Sequence, residues 1–137
     1  MKNYLLDAFP LLAWLQDEPG HHFVDELLTR AEKGEISLSM QMINLGEVYY
    51  RICRITRLRK AEETISKIRM LPISIISVSD SLVMDAAKIK GKHPISYADA
   101  FAIATALQIG ATVVTGDPEY KAVSKLVQIL WMPGESS

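Results

Sequence analysis

Short apolar runs alternate along this chain with stretches whose apolar residues recur at helical spacing, a pattern that argues for βαβ units on a parallel sheet. Asn3–Leu6, Ile36–Ser39, Ile73–Ile76, Thr112–Thr115 and Val127–Leu130 read as strands. Thr112–Thr115 is apolar toward both faces, as a central parallel strand must be. After the apolar stretch Leu11–Leu15, Pro19 and Gly20 introduce a helix whose face is Phe23, Leu27, Leu28 and Ala31 and whose stop is Gly34. Leu45, Val48, Tyr49 and Ile52 mark one face of a helix from about Met42 to Thr56, with Glu47 off that face. A further helix spans about Lys60–Met70; the next, capped by Ser79 or Ser81, carries Leu82, Val83, Ala86 and Ile89 and ends at Gly91. Ser96 caps Tyr97–Ile109, a helix apolar nearly all round and therefore buried, and Pro118 opens a short helix.

Composition sets the frame. A chain of 137 residues suits one domain, expected over 1–133 with Gly134–Ser137 frayed, and a domain near this size buries about 68–70% of its unfolded surface. With 49% hydrophobic and 23% charged residues, it is globular rather than disordered. The lone Cys53 cannot form an internal disulfide, Asp7 and Pro10 interrupt any leader-like run, and no stretch approaches the roughly 18 apolar residues of a membrane span. A cytoplasmic protein is expected. The formal charge of −1 offers no global attraction for a polyanion, which must be held locally by a basic patch or by metal.

Ligands of parallel α/β sheets bind beyond the carboxyl ends of the strands. Asp7 closes the first strand, Asp117 follows Thr112–Thr115 by two residues, Asp99 lies in the first turn of the buried helix, and Glu47 sits one and a half turns into its own. Each has a plainer reading. Asp117 before Pro118 matches an ordinary helix start, Ser96 and Asp99 have capping-box spacing, and Glu47 with Arg51 is an i,i+4 ion pair. Asp7 resists such a reading, because it interrupts an apolar segment where an unpaired carboxylate costs several kcal/mol. Four gathered carboxylates repel and require a cation, and oxygen-only ligation suits Mg²⁺ or Mn²⁺. Such an ion supports phosphodiester hydrolysis.

Tyr4-Leu5-Leu6-Asp7, Asn44-Leu45-Gly46-Glu47-Val48, Ser96-Tyr97-Ala98-Asp99-Ala100-Phe101-Ala102-Ile103-Ala104 and Thr115-Gly116-Asp117, in that order, resemble the PIN-domain ribonucleases, in particular the VapC-type toxins of toxin and antitoxin pairs. The resemblance runs along almost the whole chain. It implies a three-layer α/β/α fold around a parallel sheet of about five strands in order 3-2-1-4-5. It also implies Mg²⁺- or Mn²⁺-dependent endoribonuclease activity, an RNA substrate, a cognate antitoxin and a homodimer. By motif, Asp7, Glu47, Asp99 and Asp117 become metal-ligating and catalytic residues, and Thr115 a supporting one. Where the family usually carries Ser or Thr two residues after the first Asp, this chain has Ala8 and Phe9.

Arg51 and Arg54 share a helical face with Glu47 and are candidates to steer an RNA backbone, whereas the wider basic run also suits a solvated face pairing with Glu62 and Glu63. His21, His22 and His93 show no metal-ligand spacing; Cys53 reads as a buried helix residue, and Trp14, Tyr49 and Tyr50 as core or interface aromatics. A phosphoacceptor domain fits poorly, lacking an acidic pair after the first strand and an acceptor Asp after the third. Nucleotide chemistry lacks a Walker A loop and a GxGxxG turn. A non-catalytic relative that binds metal and partner is the remaining alternative.

Overall fold

In a computed structural model, which describes residues 1–133, the first strand β1 (Lys2–Leu6) sends Tyr4 and Leu6 into one apolar core and Leu5 into another. The period of two along a strand makes this division unavoidable once both faces are covered. The expected frayed tail, Gly134–Ser137, lies outside the described residues.

From β1 the chain runs through α1 (Ala8–Leu15), α2 (His21–Glu32), β2 (Ile36–Gln41), α3 (Met42–Ile55), α4 (Leu58–Ile68) and β3 (Ser74–Ile76). It continues with α5 (Asp80–Lys92), α6 (Tyr97–Ile109), β4 (Thr112–Thr115), a 3₁₀ helix (Pro118–Val123) and β5 (Ile129–Trp131). All pairings are parallel, in the order β3-β2-β1-β4-β5, as expected. The helices α1 to α4 supply the core that takes Tyr4, Leu6, Leu38, Met40 and Val114, whereas α5, α6 and the 3₁₀ helix cover Leu5 and Val113. Among the described residues no helix is long and apolar enough to cross a membrane.

Several boundaries differ from the sequence reading, each for a local reason. Helix α5 continues through Gly91 to Lys92 and stops at His93, whose extended backbone precedes Pro94, a position where the proline ring disfavours helical geometry. Ser79 rather than Ser81 caps it, accepting from the Leu82 N–H at 3.2 Å. Strand β5 begins at Ile129; Val127 is buried earlier, against the α5/α6 side. Helix α4 starts two residues before Lys60 and ends two before Met70. Helix α6 ends as its sequence dictates, with Gly110 in the left-handed conformation (φ 67°) and its N–H donating to the Ala106 carbonyl.

Candidate functional site

Parallel pairing puts the carboxyl ends of β1, β2 and β4 on one edge, and the residues just past them face a common space. Asp7 follows β1 and is also the N-cap of α1, its Oδ1 accepting from the Phe9 N–H at 3.1 Å. Its Oδ2 accepts from the Thr115 hydroxyl at 2.9 Å, and that same hydroxyl accepts from the Asp117 N–H at 3.1 Å. Thr115, fully buried at the end of β4, therefore ties the first acid to the backbone of the last. Asp117 caps the 3₁₀ helix, accepting from the Glu119 N–H at 2.9 Å. Cap and cleft roles coincide at both aspartates, because a strand-to-helix turn aims both the N-cap carboxylate and the helix N–H groups toward the sheet's carboxyl edge.

Asp99 enters from the opposite layer. Its N–H donates to Ser96 Oγ at 3.1 Å, which sets the first turn of α6, and its Oδ1 accepts from the Tyr120 hydroxyl at 3.4 Å. The fourth acid, Glu47, is held by Arg51 at 3.1 Å on the inner side of α3, its side chain only 14% exposed. Helix α3 is tied to the start of α6 by Asn44, whose amide nitrogen donates to the Ala98 carbonyl at 3.1 Å. All four predicted acids, Asp7, Glu47, Asp99 and Asp117, thus line one cleft of about 230 Å³, together with Ala8, Phe9, Leu12 and Arg51.

Electrostatics records the crowding. Burial pushes the Asp7 carboxyl well above the usual carboxylate range, with Asp99 adding to the effect and the Thr115 hydrogen bond opposing it. Asp99 is pushed up to about 6, first by burial, then by Asp117, with Glu47 and Glu119 contributing and the Ser96 hydroxyl opposing. Tyr120, with no exposed surface, is likewise driven upward by burial and by the two aspartates beside it. Carboxylate oxygens of Asp99, Asp117 and Glu119 lie within 4.8 Å of one another, a donor set suited to a hard divalent cation. The residues present therefore fit such an ion.

Tertiary structure adds residues that sequence reasoning did not select. Glu119 resembles an ordinary acid in a first helical turn, and its only signal is its place two residues after Asp117. Tyr120 looks like one more core aromatic. Gln41 and Asn44 are fully buried: Gln41 caps α3 through the Ile43 N–H at 2.8 Å and reaches the Ser77 carbonyl at 3.3 Å, while Asn44 Oδ1 has no partner among the described residues. Tyr50 is exposed, which removes the core alternative for it and leaves the interface one, with the Arg54 guanidinium 5.1 Å from its ring centroid, and Cys53 is only partly buried where a buried residue was expected. Side-chain atoms of His21, His22 and Asp25 also come within 4.8 Å of one another, a proximity the sequence reading did not anticipate, although Asp25 is already engaged by the Trp14 indole N–H. Of the basic run, Arg51 borders the acidic cleft, and Arg51 and Arg54 line an adjoining groove of about 800 Å³. Arg59 pairs with Glu63 in solvent, as the solvated-face reading expected.

A three-layer sheet in this strand order with acids converging at its carboxyl edge defines a class, and the sequence agrees: residues 4–126 match the PIN domain family, to which the chain belongs. Solved structures share its fold at low identity. DNA-bound VapBC from Salmonella typhimurium is 13% identical with a TM-score of 0.75, over 97% of this chain and 100% of that one. VapC20 from Mycobacterium tuberculosis, described as a toxin that cleaves the sarcin-ricin loop, is 18% identical with a TM-score of 0.71, over 88% and 94%. A toxin-antitoxin complex from Klebsiella pneumoniae is 15% identical with a TM-score of 0.61, over 93% and 95%. No match to a curated protein was found.

Proposed function

We propose that the chain is a metal-dependent endoribonuclease that hydrolyses RNA phosphodiester bonds and serves as the toxin of a VapBC-type toxin and antitoxin pair. The observation that carries this reading is the single cleft lined by Asp7, Glu47, Asp99 and Asp117, acids drawn from four separate elements, two of which burial and mutual repulsion drive upward. Asp7, Glu47, Asp99 and Asp117 would hold the ion, with Glu119 as a further oxygen donor beside Asp99 and Asp117. A Mg²⁺ or Mn²⁺ ion bound there supplies the positive charge that acidifies a water and offsets the charge building on the phosphate oxygens.

The chain's own residues do the rest. Thr115 and the Phe9 N–H fix both oxygens of Asp7, and the Tyr120 hydroxyl fixes Asp99, so these carboxylates are oriented before substrate arrives. Arg51, half exposed, offers a cation to the RNA backbone at the mouth of the cleft, and Arg54 extends that charge along the groove. A cytoplasmic location, a homodimer and a cognate antitoxin complete the reading; the similar toxin-antitoxin complex and DNA-bound VapBC structures support the antitoxin.

The test is cleavage of a structured RNA pool with Mn²⁺ or Mg²⁺, set against EDTA and against Asp99→Asn. Cleavage lost in both controls is the expected result. A second reading, a non-catalytic module that binds metal and partner, is favoured by one observation: Phe9 places an apolar ring beside Asp7 where a hydroxyl usually stands. Heat stability raised by Mn²⁺ without cleavage under any metal would select it.

A further inference from the structure

Phe9 belongs to neither apolar core, yet its position is closely fixed. It is the second residue of α1, and its N–H is bonded to Asp7 Oδ1. One edge of its ring rests on Gly116, the residue between Thr115 and Asp117: a Cβ at position 116 would lie 2.5 Å from Phe9 Cε1, 3.0 Å from Cδ1 and 3.1 Å from Cζ. A side chain at position 116 would push the ring from this place. Gly116 is not among the residues with positive φ, so the constraint comes from the ring and not from the backbone.

Despite this seat, Phe9 is 41% exposed. It forms part of the wall of the acidic cleft and also of the adjoining groove that contains Arg51 and Arg54. An aromatic ring is therefore held on a rigid element, open to solvent, between carboxylates that would act on a phosphate and cations that would hold the neighbouring backbone. Unpaired bases stack on such rings, and the stacking tolerates any base while favouring larger π-faces.

We propose that Phe9 is a stacking platform for the nucleobase next to the scissile phosphate, so that a purine is preferred at that position. This rests on the nuclease reading above and adds to it a base-contacting residue and the base preference. The loss of the hydroxyl usually found at this position is, on this view, an exchange of one contact at the acid for one at the base.

The experiment measures binding of fluorescein-labelled oligo(rA), oligo(rU) and an abasic ribose-phosphate oligomer by anisotropy, with Ca²⁺ replacing the catalytic ion. Wild type should bind oligo(rA) most tightly and the abasic oligomer least. Phe9→Ala should weaken oligo(rA) binding about 10-fold, equivalent to about 1.4 kcal/mol, while changing abasic binding less than about 2-fold; Phe9→Trp should restore it. Gly116→Ala should weaken oligo(rA) binding in the wild-type background by displacing the ring, and should have no effect in the Phe9→Ala background. Thermal melts of each variant exclude unfolding as the cause. Equal losses on oligo(rA) and the abasic oligomer, or no loss on either, would overturn the platform while leaving the nuclease reading intact. Failure of wild type to bind any of the three would overturn both.

Discussion

Helices α4 and α6 are of similar length and could hardly be more different in what surrounds them. Eight of the thirteen residues of α6, from Asp99 to Ala106, are buried, whereas α4 buries only Ala61 and Ile68 among eleven. Helix α4 turns Arg59 and Glu63 to water; α6 lies against the sheet with alanines that let it approach closely and a carboxylate fixed in its first turn. The difference teaches that a helix packed on all sides holds a carboxylate in one place, whereas a helix with one buried edge leaves its charges to solvent. Asp99 is on such an element, and its cost of burial is visible in its raised pKa.

The largest effect that would sharpen this contrast is on chemistry. Asp99→Asn keeps the shape of the side chain but removes a charge the proposed ion needs, and should lower the cleavage rate by more than about 100-fold, since loss even of groups that merely support metal ligands costs 10–100-fold. Cleavage assays at saturating Mn²⁺ check this, and near-wild-type rates would break the link between α6 and the site. Next is Thr115→Val, which leaves Asp7 Oδ2 and the Asp117 N–H without their shared partner. It should cost about 1–3 kcal/mol in denaturant unfolding and also slow cleavage, as expected for a buried acceptor left unpaired.

Packing provides the direct comparison of the two helices. Ala102→Leu in α6, at a position with no exposed surface, should destabilise the fold by about 1–3 kcal/mol through overpacking. Arg59→Ala in α4 should change stability by less than about 0.5 kcal/mol, because its ion pair is solvent-exposed. Equal effects in urea titrations would mean that α6 is no more constrained than α4.

The smallest effect concerns pH. The Asp99 carboxyl titrates near 6 in the folded chain against an ordinary value of 3.8, so it favours folding in acid and that contribution is lost as pH rises through about 6. Without metal, the melting temperature of Asp99→Asn relative to wild type should therefore increase by a few degrees between pH 5 and pH 7.5. Added Mn²⁺ should raise the wild-type midpoint more at pH 7.5 than at pH 5, because the ionised form binds it. Parallel melts of the two proteins at both pH values measure each difference.

Much of this arrangement was legible in the sequence. The strand order followed from the resemblance, and the four acids stood out by position: Asp7 and Asp117 just past strands, Glu47 in the helix after β2, and Asp99 in the first turn of the buried helix α6. Asp7 was the clearest, since it interrupts the apolar segment Tyr4–Leu15, although the structure gives it a second role as the N-cap of α1. What was not legible depends on distant neighbours: that the Tyr120 hydroxyl would meet Asp99, that Asn44 would reach Ala98, and that Gly116 would leave a seat for Phe9. No local spacing encodes such contacts. The end of α5 and the start of β5 depart from the local pattern because Gly91 resembles a stop signal more than His93 before Pro94 does, and because Val127 is as apolar as a strand residue without pairing as one.

The thread that joins Asp7, Glu47, Asp99 and Asp117 also sets an order of events during synthesis. The first acid emerges from the ribosome 110 residues before the last, and the hydroxyl that orients it, on Thr115, arrives only just ahead of Asp117. A nascent chain shorter than that point contains most of the sheet but no complete cleft, so whatever this site does to its surroundings begins only when translation has passed its final carboxylate.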